Sequence, residues 1–141
     1  MGKEKSSFAT RLYTSLYHGG RFAIIICMRI LEKPITKSDL IKESENFIEE
    51  NAIKAVVDVE KGLLAVDSPM HYDCEQLLLS EGSRQQDLWG INLYLDEEEI
   101  DDIVEFDSMI NIRPSQNNRS RGVDDPEMRA RVIEVVSKWL S

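Results

Sequence analysis

The sequence predicts a single α+β domain, a two-layer sandwich with a mainly antiparallel sheet and about three helices on one face. Three observations lead there. Residues 53–60 are rich in β-branched residues, and Lys61-Gly62 joins them to a return strand at residues 63–67, which reads as a hairpin. Two helical stretches, residues 36–50 and 71–81, alternate with strand-like runs. The strand pairs lie too close in sequence to be parallel neighbours. The expected order is β-α-β-β-α-β-β-α.

Taken along the chain, residues 29–35 read as a short strand, with Pro34 marking an edge or an end. Thr36 stands as N-cap with Asp39 three residues on. Leu40, Ile41, Phe47 and Ile48 form an apolar stripe at helical spacing. Ser68-Pro69 stops the return strand of the hairpin. Residues 71–81 (HYDCEQLLLSE) form the second helix, with Leu77, Leu78 and Leu79 as its core face and Gly82 closing it. Residues 88–95 (LWGINLYL) place Trp89, Ile91, Leu93 and Leu95 on one face of a strand. Gly90, Asn92 and Tyr94 lie on the other. Residues 96–102 carry six carboxylates in seven positions and read as a solvated loop. Residues 104–113 (VEFDSMINIR) read as the next strand and residues 114–124 as a loop. Asp125-Pro126 opens a last helix whose apolar face is Met128, Val132, Val135, Val136, Trp139 and Leu140.

Composition bounds the function. The chain has 141 residues, 42% hydrophobic and 30% charged, which suits one domain able to bury its own core. The net charge of -9, from 17 basic against 26 acidic residues, argues against a long duplex nucleic acid as partner. Two cysteines, Cys27 and Cys74, are too few for a disulfide framework, so a reducing cytoplasm is the expected setting. The apolar run at residues 22–28 (FAIIICM) falls far short of the roughly 20 residues of a membrane span. It is also short for a signal peptide and lacks a small-x-small cleavage site. Met1-Gly2-Lys3-Glu4-Lys5-Ser6 matches the short myristoylation pattern, a weak signal by itself.

Residues 1–27 show little helical or strand period and carry Lys3, Lys5, Arg11 and Arg21 against Glu4. They are expected to be an N-terminal extension, poorly ordered, ahead of a domain at residues 28–141 whose own charge is -12.

Two features bear on chemistry. Sorted by the period of two, three strands offer polar groups on their less apolar faces: Asp58 and Glu60, Asn92, and Asp107, Asn111 and Arg113. A solvated outer face explains them, yet Asn and Asp are poor strand formers. Asp58, Glu60 and Asp107 are the candidate catalytic carboxylates of a metal-assisted phosphoester hydrolase. The second feature is the arginine island at residues 113–122 (RPSQNNRSRG), with three arginines in nine residues and no acid between them. Guanidinium groups suit bidentate recognition of carboxylate or phosphate. Asn111, Arg113, Ser115, Gln116, Asn118, Arg119 and Arg121 are thus the candidate ligand-binding residues for a small anion. The alternative is internal pairing of Arg119 or Arg121 with Asp107, Asp87 or the acidic loop. A third reading is a protein–protein module. His71 has no second histidine in the domain, so a His/Cys zinc site is not expected. His71 and Cys74 are an i, i+3 pair without an orienting group, which makes a poor thiol catalyst. The sequence names no cofactor and no oligomeric state.

The blocks Val56-Val57-Asp58-Val59-Glu60-Lys61-Gly62, Leu88-Trp89-Gly90-Ile91-Asn92-Leu93-Tyr94 and Phe106-Asp107-Ser108-Met109-Ile110-Asn111-Ile112-Arg113-Pro114-Ser115, followed by Asn118-Arg119-Ser120-Arg121-Gly122-Val123, resemble those of a small prokaryotic family of unknown function. The resemblance covers residues 28–141. It implies relatives of about this size that begin near Met28, and it implies no activity, cofactor or partner.

Overall fold

A computed structural model describes the backbone of residues 10–16 and 23–141, and side chains from residue 28 onward. The order is β1 (Thr10–Leu16), β2 (Ala23–Ile30), α1 (Lys37–Glu43), β3 (Ile53–Asp58), β4 (Leu63–Val66), α2 (His71–Ser80), β5 (Leu88–Leu93), α3 (Ile100–Ile103), β6 (Val104–Glu105) and α4 (Pro126–Trp139). The strands form one antiparallel sheet in the order β1-β2-β4-β3-β5-β6. The expected α+β class and antiparallel sheet are therefore present.

The predicted hairpin is β3–β4, in register Asp58↔Leu63, Val57↔Leu64 and Val56↔Ala65. Gly62 takes φ +70° in its turn, a conformation open to glycine at little cost. Asp58 fixes that turn from inside. Its Oδ1 accepts from the N–H groups of Glu60 and Lys61, and its Oδ2 from the Ser83 hydroxyl. Helix boundaries follow their caps. Thr36 accepts from Asp39 N at 3.1 Å, and Asp125 accepts from Glu127 N at 2.9 Å. α2 closes in a Schellman turn, with Gly82 N bonded to the Leu79 carbonyl and Ser83 N to that of Leu78.

The helices do not share one face. Ile53, Ala55, Val57, Leu64 and Val66 pack with Val132, Val135, Val136 and Trp139 of α4. Val56, Ala65 and Leu88 pack with Cys74, Leu77 and Leu78 of α2. Neighbouring residues of one strand point to opposite faces, so α4 and α2 lie on opposite sides and the sandwich has three layers. The physical reason is in the strands themselves: β4 is apolar at both parities, and β3 carries buried Val56 on the face opposite Ala55 and Val57, the mark of a sheet buried on two sides.

Three further expectations are corrected. The strand expected over residues 104–113 stops at Glu105, and the chain continues through a 3₁₀ turn at Met109–Asn111. Ser108 starts that turn by accepting from Ile110 N, a local bond that competes with strand pairing. The acidic stretch is partly helical, because α3 takes up Ile100–Ile103 and buries Ile103. The first helix ends at Glu43 and is followed by a 3₁₀ turn at Glu45–Phe47. Where the sequence shows no strand period, Thr10–Leu16 pairs along Ala23–Ile30. This hairpin meets β4 through Arg29 and Ile30. The expectation of an extension over residues 1–27 falls in part on residues 1–9 and 17–22, outside those described.

Of the described glycines, Gly90 has the closest neighbours. A Cβ there would lie 2.6 Å from both Cβ and Oγ of Ser108. Gly90→Ala should cost about 1–3 kcal/mol, read as a lowered urea midpoint. A loss below about 0.5 kcal/mol would show that the loop yields freely.

Candidate functional site

β6 covers only part of β5. Asn92 and Leu93 pair with Glu105 and Val104. Towards Leu88 the outer edge of β5 has no strand beside it, and side chains take over. The Asn111 carboxamide accepts from Gly90 N at 2.8 Å and donates to the Gly90 carbonyl at 3.0 Å. The Arg113 guanidinium donates to the Leu88 carbonyl, two residues further along the same edge. Alternate residues of an antiparallel strand present their polar groups to the same side, so Asn92, Gly90 and Leu88 are met in turn by backbone, amide and guanidinium.

This arrangement places the predicted ligand-binding residues. Asn111 is fully buried and also donates to the Arg121 carbonyl. Arg113 is buried beside Glu75 at 3.9 Å and stacks 4.7 Å over the Trp89 ring. It donates further to the carbonyls of Ile110 and Gln85. Burial lowers its pKa, and Glu75 opposes that shift. Asn118 donates to the carbonyls of Asn111 and Gly122 and accepts from Asp124 N. Gln116 reaches the Gln86 carbonyl, and Ser115 is exposed. Asp124 accepts from Ser120 and from Arg119 N, and the Ser120 hydroxyl holds its carboxyl below the usual range. The arginines therefore diverge. Arg113 is spent inside, the exposed Arg119 guanidinium has no partner among the described residues, and Arg121 turns to Asp107 at 2.5 Å.

The three candidate carboxylates do not meet either. Asp58 is buried in the hairpin turn, Glu60 pairs with Arg131 at 3.6 Å, and Asp107 pairs with Arg121. Among the described residues, no three of His, Cys, Asp and Glu gather to hold a metal ion. Cys74 is fully buried, and burial pushes its thiol well up.

A different concavity brings polar groups together. On the α2 side of the sheet, an open groove of about 420 Å³ separates the start of α2 from the loop at residues 107–110. Its floor holds Lys54 of β3 and Asn92 of β5, directly paired across the strands. One wall carries Met70, His71 and Tyr72, and the other Asp107, Met109, Ile110 and Arg121. Asn92 is fixed by donating to Glu105 at 2.9 Å and the Asp107 carbonyl at 3.4 Å. His71 Nε2 lies 2.8 Å from the Ile91 carbonyl. Burial lowers the His71 pKa. The Ile91 bond opposes this, Lys54 adds to it, and Asn92 and Asp107 oppose it. The ring is thus neutral at pH 7 and donates one proton to Ile91.

Sequence reasoning assigned no role to Lys54, and weighed His71 as a zinc ligand or a thiol partner and not as a lining residue of a groove. A signal was present: Lys54 and Asn92 are polar residues of β3 and β5 at the parity that faces α2, and both are partly exposed.

Residues 29–139 match the family described as protein of unknown function DUF5674. The chain belongs to that family. The DUF5674 match spans β3 to α4 entire, and with them both the side-chain cover of β5 and the groove. No curated protein matches the chain, and no solved structure does. No helix among the described residues is long and apolar enough to cross a membrane.

Two predictions follow from the contacts. Arg113→Met removes a buried guanidinium from the Leu88, Gln85 and Ile110 carbonyls and from Glu75, and should cost about 3 kcal/mol or more in urea unfolding. Arg119→Ala should stay within about 0.5 kcal/mol of the wild type. For His71 the folded-state pKa lies below the unfolded one. The stability held by the neutral ring is complete above the unfolded value and is lost as pH falls through the folded one. His71→Gln should therefore shrink the drop in urea midpoint between about pH 7.5 and about pH 5. An equal drop in both proteins would contradict the assignment.

Proposed function

We propose that the groove between α2 and the loop at residues 107–110 binds a small anionic ligand through its carboxylate or phosphate. The observation that carries this reading is the placement of two cations, Lys54 and Arg121, around one open cavity. Neither is consumed. Among the described residues, Lys54 Nζ reaches Glu49 at 3.4 Å, and Arg121 uses Nε for Asp107 while its terminal nitrogens have no partner. A guanidinium held on one edge offers its other N–H groups as a fork, the geometry that suits carboxylate and phosphate. The start of α2 adds the positive end of its dipole on the opposite wall. The arginine island contributes to this site through Arg121. Asn111 and Asn118 act one step back, by holding the loop that carries it. The activity in this reading is binding, in a cytoplasmic setting; Asp58, Glu60 and Asp107, the carboxylates of the metal-assisted hydrolase reading, each have separate partners.

The reading is tested by titrating the ¹⁵N-labelled protein with inorganic phosphate. Amide shifts should concentrate at residues 54, 71, 72, 92, 107–110 and 121. Lys54→Glu with Arg121→Glu should abolish them while leaving the urea midpoint within about 0.5–1 kcal/mol of the wild type, as both side chains are partly exposed. Shifts centred on residues 113–119, or no shifts at all, would overturn the groove as the site.

A further inference from the structure

The groove has a second character besides its charge. The large apolar side chains exposed among the described residues are Ile48, Met70, Tyr72, Met109 and Ile112. Three of them, Met70, Tyr72 and Met109, line this groove. Single exposed apolar residues need no explanation, but several around one concavity mark a contact surface. They are more than half exposed, at 56%, 54% and 66%. They stand on both walls, two from the start of α2 and one from the 3₁₀ turn at Met109–Asn111, so an object in the groove meets apolar surface from two sides.

We infer, building on the anion reading above, that the ligand is an acidic group carried on a flat apolar body, an aryl phosphate or aryl carboxylate. The charge has one place to go, the floor and far wall with Lys54 and Arg121. The body then lies between Met70 and Tyr72 on one wall and Met109 on the other. Unbranched thioethers adapt to a flat ring and make favourable sulfur–aromatic contacts. A tyrosine ring offers an offset or edge-on partner at little entropic cost. The cavity of about 420 Å³ lies within the range that encloses small organic ligands, and a bare phosphate would leave most of it empty. A compact hydrophilic anion, such as a sugar phosphate, would leave these three side chains in water. One ring chemistry has two sources, a simple aryl metabolite or the base of a mononucleotide.

The test compares inorganic phosphate, phenyl phosphate and adenosine monophosphate on the full chain by the same amide titration. Phenyl phosphate should bind about tenfold or more tightly than inorganic phosphate. Tyr72→Ser with Met109→Ser should remove that advantage, and inorganic phosphate should still shift the amides of residues 54, 92 and 121. Both side chains are exposed, and a matched urea midpoint will show that the fold is intact. Adenosine monophosphate tighter than phenyl phosphate assigns the nucleotide source, and the reverse order assigns a simple aryl anion. Equal binding of phenyl and inorganic phosphate, or an advantage that survives the double variant, overturns the aryl body and leaves the anion site standing. Failure of all three to bind overturns the anion site itself.

Discussion

The two hydrogen bonds between the Asn111 carboxamide and the backbone of Gly90 hold the α2-side layer in place. An unpaired strand edge inside a protein is costly, because each buried N–H or C=O without a partner loses its water and gains nothing. β6 relieves that cost for only two residues. Asn111 supplies a donor and an acceptor in one planar group, which is what a strand residue presents to its neighbour. Arg113 continues along the edge at Leu88. Gly90 completes the arrangement from below, since any side chain there would collide with Ser108. From this seat the chain returns through Asn118, whose amide ties residues 111 and 122, and Ser108 N meets the Arg121 carbonyl. The far wall of the groove, Asp107 to Ile110 with Arg121, follows from that closure.

Charge is distributed by the same logic. The domain is strongly acidic, yet Arg113 is buried with one carboxylate near it and an indole beneath it. A guanidinium tolerates this because its planar fork meets several carbonyls at once and its charge is weakly hydrated. Asp58 is buried too, held by two backbone N–H groups and a hydroxyl. These groups stabilise through satisfied hydrogen bonds, and none has a free face for a ligand. Lys54 and Arg121 differ in keeping part of their donor capacity towards open space. In an acidic domain these two cations share one cavity with Asp107, and the proposed anion would meet the donors that Asp107 and Glu49 leave unused.

Much of the local structure was legible in the residues. The β3–β4 hairpin, the Thr36 and Asp125 caps, the Gly82 closure and the apolar face of α4 each rest on short-range rules. The layering was harder to see, although the unbroken apolar runs at residues 55–57 and 63–66 carried it. The segment after Glu105 misled because VEFDSMINIR alternates well enough for a strand. Its Asp, Ser and Asn residues were the warning, since each bonds its own neighbourhood as readily as a ladder. The candidate site was legible in part. Arg121 and Asp107 belong to the groove, but Lys54 and His71 enter it through the Lys54↔Asn92 register and the packing of α2. Those are long-range pairings, and no local pattern encodes them.

Hydrogen exchange on Asn111→Ala tests the central role of the Gly90 lock most directly. If the lock seats the loop, amides of Gly90 and of the loop from Ser108 to Asn118 lose protection by about tenfold or more. The amides of β3 and β4 keep theirs. Unchanged protection at Gly90 and across the loop would contradict the account, as would an equal loss throughout the sheet.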